Sequence, residues 1–157
     1  CTGSGAVALA IKARHPECVV TASDLSEYAV RCMAQNATAL QLNVECTRAD
    51  LFEGLSQFEL ITANPPYIDW DDPEVDANVV ACEPAMALFS DHSGLSLIQR
   101  ILKNAPNHLA KGGVLCLEHG YSQAHDVRDL AIDLGWRSVQ TLQDLAGRDR
   151  VTRMGMP

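Results

Sequence analysis

Asn64-Pro65-Pro66-Tyr67, at the end of the apolar run Phe58-Glu59-Leu60-Ile61-Thr62-Ala63, is the stretch best equipped for chemistry. Two successive prolines remove two backbone donors and hold the chain extended just where a strand should end. An amide side chain and an aromatic ring flank that stiff corner. The Asn64 oxygen and a free main-chain carbonyl can accept the N–H groups of a flat amide or amidine, while the Tyr67 ring covers its plane. A lone Pro-Pro after a strand reads as an ordinary turn. Asn and Tyr on either side of it make the corner a candidate site for gripping a planar nitrogen group. Asn64, Pro65 and Tyr67 are the catalytic candidates, and Pro66 joins them in the substrate-binding set.

A second group of candidates lies upstream. In Thr2-Gly3-Ser4-Gly5 the two glycines let the backbone turn sharply and approach a ligand ahead of a helix N-terminus. Asp24 lies 19 residues past Gly5, where an acidic side chain can accept both hydroxyls of a ribose. Asp50, with Leu51 beside it, can contact the amino edge and face of an adenine, or it simply caps its strand. Gly3-x-Gly5-x-x-Ala8 also satisfies the loose dinucleotide-binding pattern, which keeps a nicotinamide enzyme open.

The elements that must position these residues alternate. A helix is expected over 6–14, stopped by His15-Pro16, then a buried strand over 18–23 ended by Asp24. Ser26 reads as the N-cap of an amphipathic helix over 27–40, with Ala29, Val30, Met33 and Ala37 on one face. A strand over 43–49 ends at Asp50, and the strand 58–63 delivers Asn64. Residues 68–93 show no periodicity and carry Asp69, Asp71, Asp72, Glu74 and Asp76. A connection of that length usually signals function, and Glu83, held beside a proline, is its best candidate for a substrate contact; a solvated charged loop is the plainer alternative. A helix over 94–110 with a kink or break near Pro106, a strand over 114–118 after the turn Lys111-Gly112-Gly113, a helix over 124–134, and strands over 136–142 and 150–154 complete the chain. Alternation of this kind means a doubly wound, mostly parallel α/β sheet, with the last two strands as an antiparallel edge hairpin. In such sheets ligands bind beyond the carboxyl ends of the strands, where the glycine turn, Asp24, Asp50 and Asn64 all fall.

With 157 residues, one domain of this length buries about 70% of its unfolded surface. No stretch is long or apolar enough to span a membrane. The net charge of −8 repels polyanions, so no direct nucleic-acid partner is expected. The six cysteines are scattered, without a Cys-x-x-Cys pair, and read as small core residues in a reducing, cytoplasmic setting. The histidines lack metal-ligand spacing, so no metal is expected, and a structural role is the expectation for His119.

Cys1-Thr2-Gly3-Ser4-Gly5, Asp24, Asp50 and Asn64-Pro65-Pro66-Tyr67 resemble class I S-adenosylmethionine-dependent methyltransferases that modify planar nitrogens. Asn64-Pro65-Pro66-Tyr67-Ile68-Asp69, Glu83-Pro84 with Ala87-Leu88, Leu117-Glu118-His119-Gly120 and Asp149-Arg150-Val151-Thr152 narrow the resemblance to the release factor glutamine methyltransferase family, across essentially the whole chain. The tetrad is shared with adenine-N6 and other amino methyltransferases; the later motifs point to the release factor branch. The resemblance implies a Rossmann-like sheet of the seven-strand type and S-adenosyl-L-methionine as cofactor, held by Cys1, Thr2, Gly3, Ser4, Gly5, Asp24, Asp50, Leu51 and Asn64. It implies N5-methylation of the glutamine in the Gly-Gly-Gln loop of peptide chain release factors; apart from the resemblance, a monomer is expected. Relatives carry an N-terminal helical domain, a linker and a first strand ahead of the glycine turn, so residues 1–157 are expected to be the catalytic domain of a longer protein, lacking a central strand. Leu51 stands where some relatives have an aromatic, which weakens adenine stacking. A ribosomal-protein glutamine methyltransferase and an adenine-N6 nucleic-acid methyltransferase share the tetrad and remain alternatives. A NAD-binding oxidoreductase and a non-catalytic cofactor-binding protein are more distant ones.

Overall fold

The computed structural model describes residues 1–71 and 84–156. Asp72, Glu74, Asp76 and Glu83 of the acidic stretch, and Cys82, lie outside the described residues. The chain forms two compact units, Cys1–Gly54 and Leu55–Pro157.

The first unit contains α1 (Ala6–Arg14), β1 (Thr21–Asp24), α2 (Glu27–Ala39) and β2 (Glu45–Arg48). β1 and β2 run parallel, with Thr21 opposite Glu45 and Asp24 opposite Arg48, so α2 is the crossover of a β-α-β unit. α1 stops where Pro16 drives His15 out of the helical region, to φ −130 and ψ 75. Ser26 caps α2, its hydroxyl accepting from the Ala29 N–H at 3.3 Å. Both strands are shorter than their apolar runs suggest, because a strand extends only as far as its ladder. Val19 stands 91% exposed, and the Cys18 carbonyl is taken by the Lys12 ammonium at 2.6 Å. Ala8, Ala22 and Met33 form the core, with Val20, Val30, Val44 and Cys46 packed around them.

The second unit contains β3 (Phe58–Ala63), the one-turn helix α3 (Ala85–Leu88), α4 (Ser96–Asn104), a 3₁₀ turn (Ala105–His108), β4 (Leu109–Glu118), a second 3₁₀ turn (Tyr121–Gln123), α5 (Ala124–Asp133), β5 (Arg137–Gln143) and β6 (Asp149–Gly155). Strand order is β3-β4-β6-β5. β3 and β4 are parallel, while β6 is antiparallel to both β4 and β5. The Rossmann-like α/β expectation stands. The sheet is mixed, because the β5–β6 connection is too short for a crossover helix and returns the chain antiparallel. β6 inserts between β4 and β5, burying Thr152 and Met154, and leaves the mostly polar β5 at the edge.

The break expected near Pro106 is present: α4 ends at Asn104 and the chain tightens into a 3₁₀ turn. The start of β4 differs from expectation. β4 begins at Leu109, before the glycine corner, since Leu109 pairs with Phe58 and the register then jumps to Leu60 opposite Val114. Gly112, at φ 78, lies in the resulting bulge. α3, and the bridge between Ile68 and Phe89, fall where no periodicity was visible.

Ile98, Ile101 and Leu102 of α4 share the core with Leu115 and Leu117, Val127 and Ala131, Trp136 and Met154, all 1% exposed or less. The Trp136 indole donates to the Leu102 carbonyl at 3.1 Å, satisfying its one polar atom. The reading of the cysteines as core residues is corrected for Cys1 and Cys18, which are exposed; Cys32, Cys46 and Cys116 are partly buried, Cys46 against the core of the first unit. Small size permits burial but does not require it. Among the described residues no helix is long and apolar enough to cross a membrane, and no group of three or more His, Cys, Asp or Glu is arranged to hold a metal ion.

Candidate active site

In the first unit the glycine turn and Asp24 are in direct contact. Gly3 and Gly5 adopt left-handed φ values of 54 and 83, and the Gly5 N–H donates back to the Thr2 carbonyl at 2.8 Å. Asp24, the last residue of β1, accepts from the Gly3 N–H on Oδ2 and from the Ser26 N–H on Oδ1, both at 2.9 Å. Its carboxylate thereby links the turn to the start of α2. Asn36 on α2 donates to the Ser4 carbonyl at 2.9 Å. At Gly5 a Cβ would lie 2.8 Å from Met33 Cγ, so only glycine lets the turn pack onto α2. At Gly3 a Cβ would meet nothing within 4 Å; that side of the turn faces open space.

Asp50 follows β2, at the same end of the parallel pair as Asp24, and the Ala49 N–H between them donates to the Asp24 carbonyl at 3.0 Å. Leu51 is left-handed at φ 53 and half-buried. Cys1, Gly3 and Ser4 are exposed, and Thr2 is half-buried. After its two backbone bonds Asp24 keeps a lone pair on each oxygen, enough to accept the two hydroxyls of a ribose. This donor set suits a nucleoside.

In the second unit β3 ends at Ala63 and the tetrad begins at the next residue. Pro65 is fully buried, which fixes the corner, while Asn64 is exposed and Pro66 and Tyr67 are half-buried. Tyr67 is fastened at both ends. Its hydroxyl lies 3.3 Å from Glu118 Oε1 and accepts from Arg150 Nη1 at 3.4 Å. Its carbonyl accepts from Gln123 Nε2 at 2.8 Å. Burial, with Glu118 beside it, pushes the Tyr67 phenol above its ordinary range, and Arg150 opposes the rise. A protonated phenol can donate to Glu118 while it accepts from Arg150. Three residues on, Trp70 stacks on Phe89 with ring centroids 4.5 Å apart.

Gln123 gave no signal in the sequence, and Glu118 and Arg150 stood there only within motifs that carry the family resemblance, with no role attached. Alternation along β4 is what brings Glu118 to the face opposite the buried Leu117 and His119. His119, expected to be structural, is 0% exposed. Its Nδ1 lies 2.9 Å from the Gly120 carbonyl and its Nε2 lies 2.8 Å from Thr152 Oγ1. A carbonyl can only accept, so the Nδ1 tautomer carries the proton and Nε2 accepts from Thr152. Thr152 in turn is 3.2 Å from Thr141 Oγ1. Burial lowers the His119 pKa below its ordinary value.

A parallel α/β arrangement closed by an antiparallel hairpin, with candidate ligand groups at the strand ends, is the architecture of the Rossmann-like methyltransferases. The crystal structure of a methyltransferase from Pyrococcus furiosus superposes with a TM-score of 0.72 at 21% identity, over 98% of this chain and 70% of that one. The chain belongs to the methyltransferase small domain family, which it matches over residues 1–122. Among curated relatives, the release factor glutamine methyltransferase of Salmonella typhimurium is 41% identical over 154 residues, covering 96% of this chain and 56% of the relative. That of Xylella fastidiosa (strain Temecula1) is 44% identical, with the same coverage of 96% and 56%. The chain thus spans a little over half the length of these relatives.

Proposed function

We propose that residues 1–157 are the catalytic domain of a protein that methylates the side-chain amide of a glutamine, at N5, in the Gly-Gly-Gln loop of peptide chain release factors. One observation carries the reading: an exposed Asn64 stands on a corner locked by a buried Pro65 and a doubly fastened Tyr67. The names of the relatives support the release factor as substrate.

S-adenosylmethionine, when bound, supplies an electrophilic methyl group on a sulfonium. Asp24 accepts the ribose hydroxyls, the backbone of Cys1, Thr2, Gly3, Ser4 and Gly5 lines the cofactor, and Asp50 and Leu51 meet the adenine. An amide nitrogen is a poor nucleophile because its lone pair is delocalised into the carbonyl. Asn64 Oδ1 and the Pro65 carbonyl accept the two amide hydrogens, which orients the nitrogen and favours the positive charge that develops on it. Tyr67 covers the amide plane, and Pro66 keeps the corner extended. No strong base is needed before transfer, since the proton can leave afterwards. Positioning of this kind lowers a barrier by ~7–11 kcal/mol in well-oriented systems. The reading includes a monomer working in the cytoplasm on a protein, and the net charge of −8 supports a substrate other than nucleic acid.

The test incubates the full-length protein with methyl-labelled S-adenosylmethionine and, separately, release factor, ribosomal proteins and DNA. Label on the release factor, abolished when the loop glutamine is replaced, is the expected result. Label on ribosomal protein or DNA instead would overturn it.

A further inference from the structure

We infer that Glu118 and Arg150 are positioning residues that clamp the Tyr67 hydroxyl from two sides and so fix the ring laid against the substrate amide. The inference rests on the reading that the Tyr67 corner receives a carboxamide. Glu118 closes β4 and Arg150 lies near the start of β6, beside it in the antiparallel ladder, where Glu118 pairs with Val151. Two adjacent strands therefore present one acceptor and one donor to the same phenol oxygen, at 3.3 and 3.4 Å.

Chemistry leaves this contact one arrangement. An ionised carboxylate only accepts and a guanidinium only donates, so the phenol must give its proton to Glu118 and take one from Arg150. Reversal is impossible, which orients the hydroxyl as well as holding it. Arg150 is itself held. Its Nη1 also donates to the His119 carbonyl at 3.2 Å, and its Nε lies 3.6 Å from Asp144 Oδ2. The Asp144 carboxylate accepts in turn from the Ala146 and Arg148 N–H groups, at 2.9 and 3.0 Å. The main chain is tied at the same place, since the His119 N–H donates to the Arg150 carbonyl at 3.0 Å. A ring fastened at its carbonyl by Gln123 and at its hydroxyl by this pair has little freedom left.

The experiment compares Glu118→Ala, Glu118→Gln, Tyr67→Phe and the double variant Glu118→Ala/Tyr67→Phe in the full-length protein. Glu118→Ala should lower kcat about tenfold, as loss of one anchoring hydrogen bond accounts for, and Tyr67→Phe, which loses both, at least as much, with cofactor affinity unchanged. The double variant should be no slower than Tyr67→Phe, because Tyr67→Phe already removes the contact that Glu118→Ala removes. Glu118→Gln keeps an acceptor oxygen and should recover most of the rate. Multiplied losses in the double variant, no recovery with Gln, or a matching loss of cofactor affinity would overturn the inference.

A second arm needs no turnover. In protein carrying ¹³C-labelled tyrosine, the Tyr67 phenol should titrate lower in Glu118→Ala and higher in Arg150→Ala than in the wild type. An unmoved Tyr67 titration in both variants would overturn the clamp. A wild-type protein that labels no release factor would defeat the proposed function alone, and the titration would still decide the clamp.

Discussion

Gly94 and Tyr67 meet through their main chains: a Cβ at Gly94 would overlap the Tyr67 carbonyl oxygen and come within 2.6 Å of Gln123 Nε2. That amide donates to both the Tyr67 and the Ser93 carbonyls at 2.8 Å. The loop before α4 and the corner after β3 are therefore one packed object, bridged by Gln123, with no room for a side chain at position 94.

Gly94→Ala follows directly. Gly94 is left-handed at φ 78, as is Gly112 at φ 78, but a Cβ at Gly112 would meet nothing within 4 Å. Both substitutions incur the backbone strain of about 1–2 kcal/mol; only Gly94→Ala adds overpacking of about 1–3 kcal/mol. Urea denaturation of the two variants side by side should show Gly94→Ala clearly less stable, and equal losses would refute the packing argument.

Asn64→Ala should separate turnover from cofactor binding. Asn64 is exposed on a corner fixed by the buried Pro65, so removing its amide leaves the corner in place while deleting one acceptor for the substrate amide. The expected fall in kcat is about 10²–10³-fold, the usual consequence of losing one group aimed at developing charge. Near wild-type turnover in steady-state assays would remove Asn64 from the chemistry.

Asp24→Ala acts on the other group of residues. It takes the acceptor from the Gly3 and Ser26 N–H groups and, on the proposed reading, from the ribose. Cofactor affinity, measured by titration calorimetry, should weaken about ten- to hundredfold. Asp24→Asn, which keeps one acceptor oxygen, should fall between. A dissociation constant unaltered by Asp24→Ala would exclude the carboxylate from nucleoside binding.

How far the sequence announced all this depends on the range of each signal. β3 matches its apolar run residue for residue because the run is bounded on one side by a turn and on the other by the two prolines. α1 and the Ser26 cap were equally legible, being set by neighbours within a few positions. The spacing of Asp24 from the glycine turn marked it as a nucleoside candidate, but its bond from the Gly3 N–H was not legible, because it depends on how the turn docks on the end of β1. The start of β4 was not legible, because the bulge at Gly112 is settled by pairing with Phe58 and not by local propensity. The partners of Tyr67 were hidden for the same reason on a larger scale: Glu118 and Arg150 lie 51 and 83 residues away along the chain. Only the strand order β3-β4-β6 brings them to it.

His119 makes stability depend on acid. Its Nε2 accepts from Thr152 and its Nδ1–H donates to Gly120, an arrangement complete only for the neutral ring. Burial is the largest cause holding its folded pKa below 6.5, whereas in the unfolded chain it titrates near about 6.5. Between those two values the unfolded chain binds more protons, so stability rises with pH there. The contribution is therefore fully present above about pH 6.5 and is lost as pH falls toward the folded value. Asp144 adds a loss of the same sign in a separate window below 3.8, because the N–H groups of Arg148 and Ala146 hold its carboxylate pKa down. Urea unfolding free energies measured from pH 7.5 to pH 5 should decline in the wild type, and this part of the decline should vanish in His119→Gln. That variant will itself be less stable at neutral pH, by about 1–3 kcal/mol, if the glutamine leaves Thr152 without its acceptor. A wild-type slope retained in full by His119→Gln would assign the acid sensitivity to other groups.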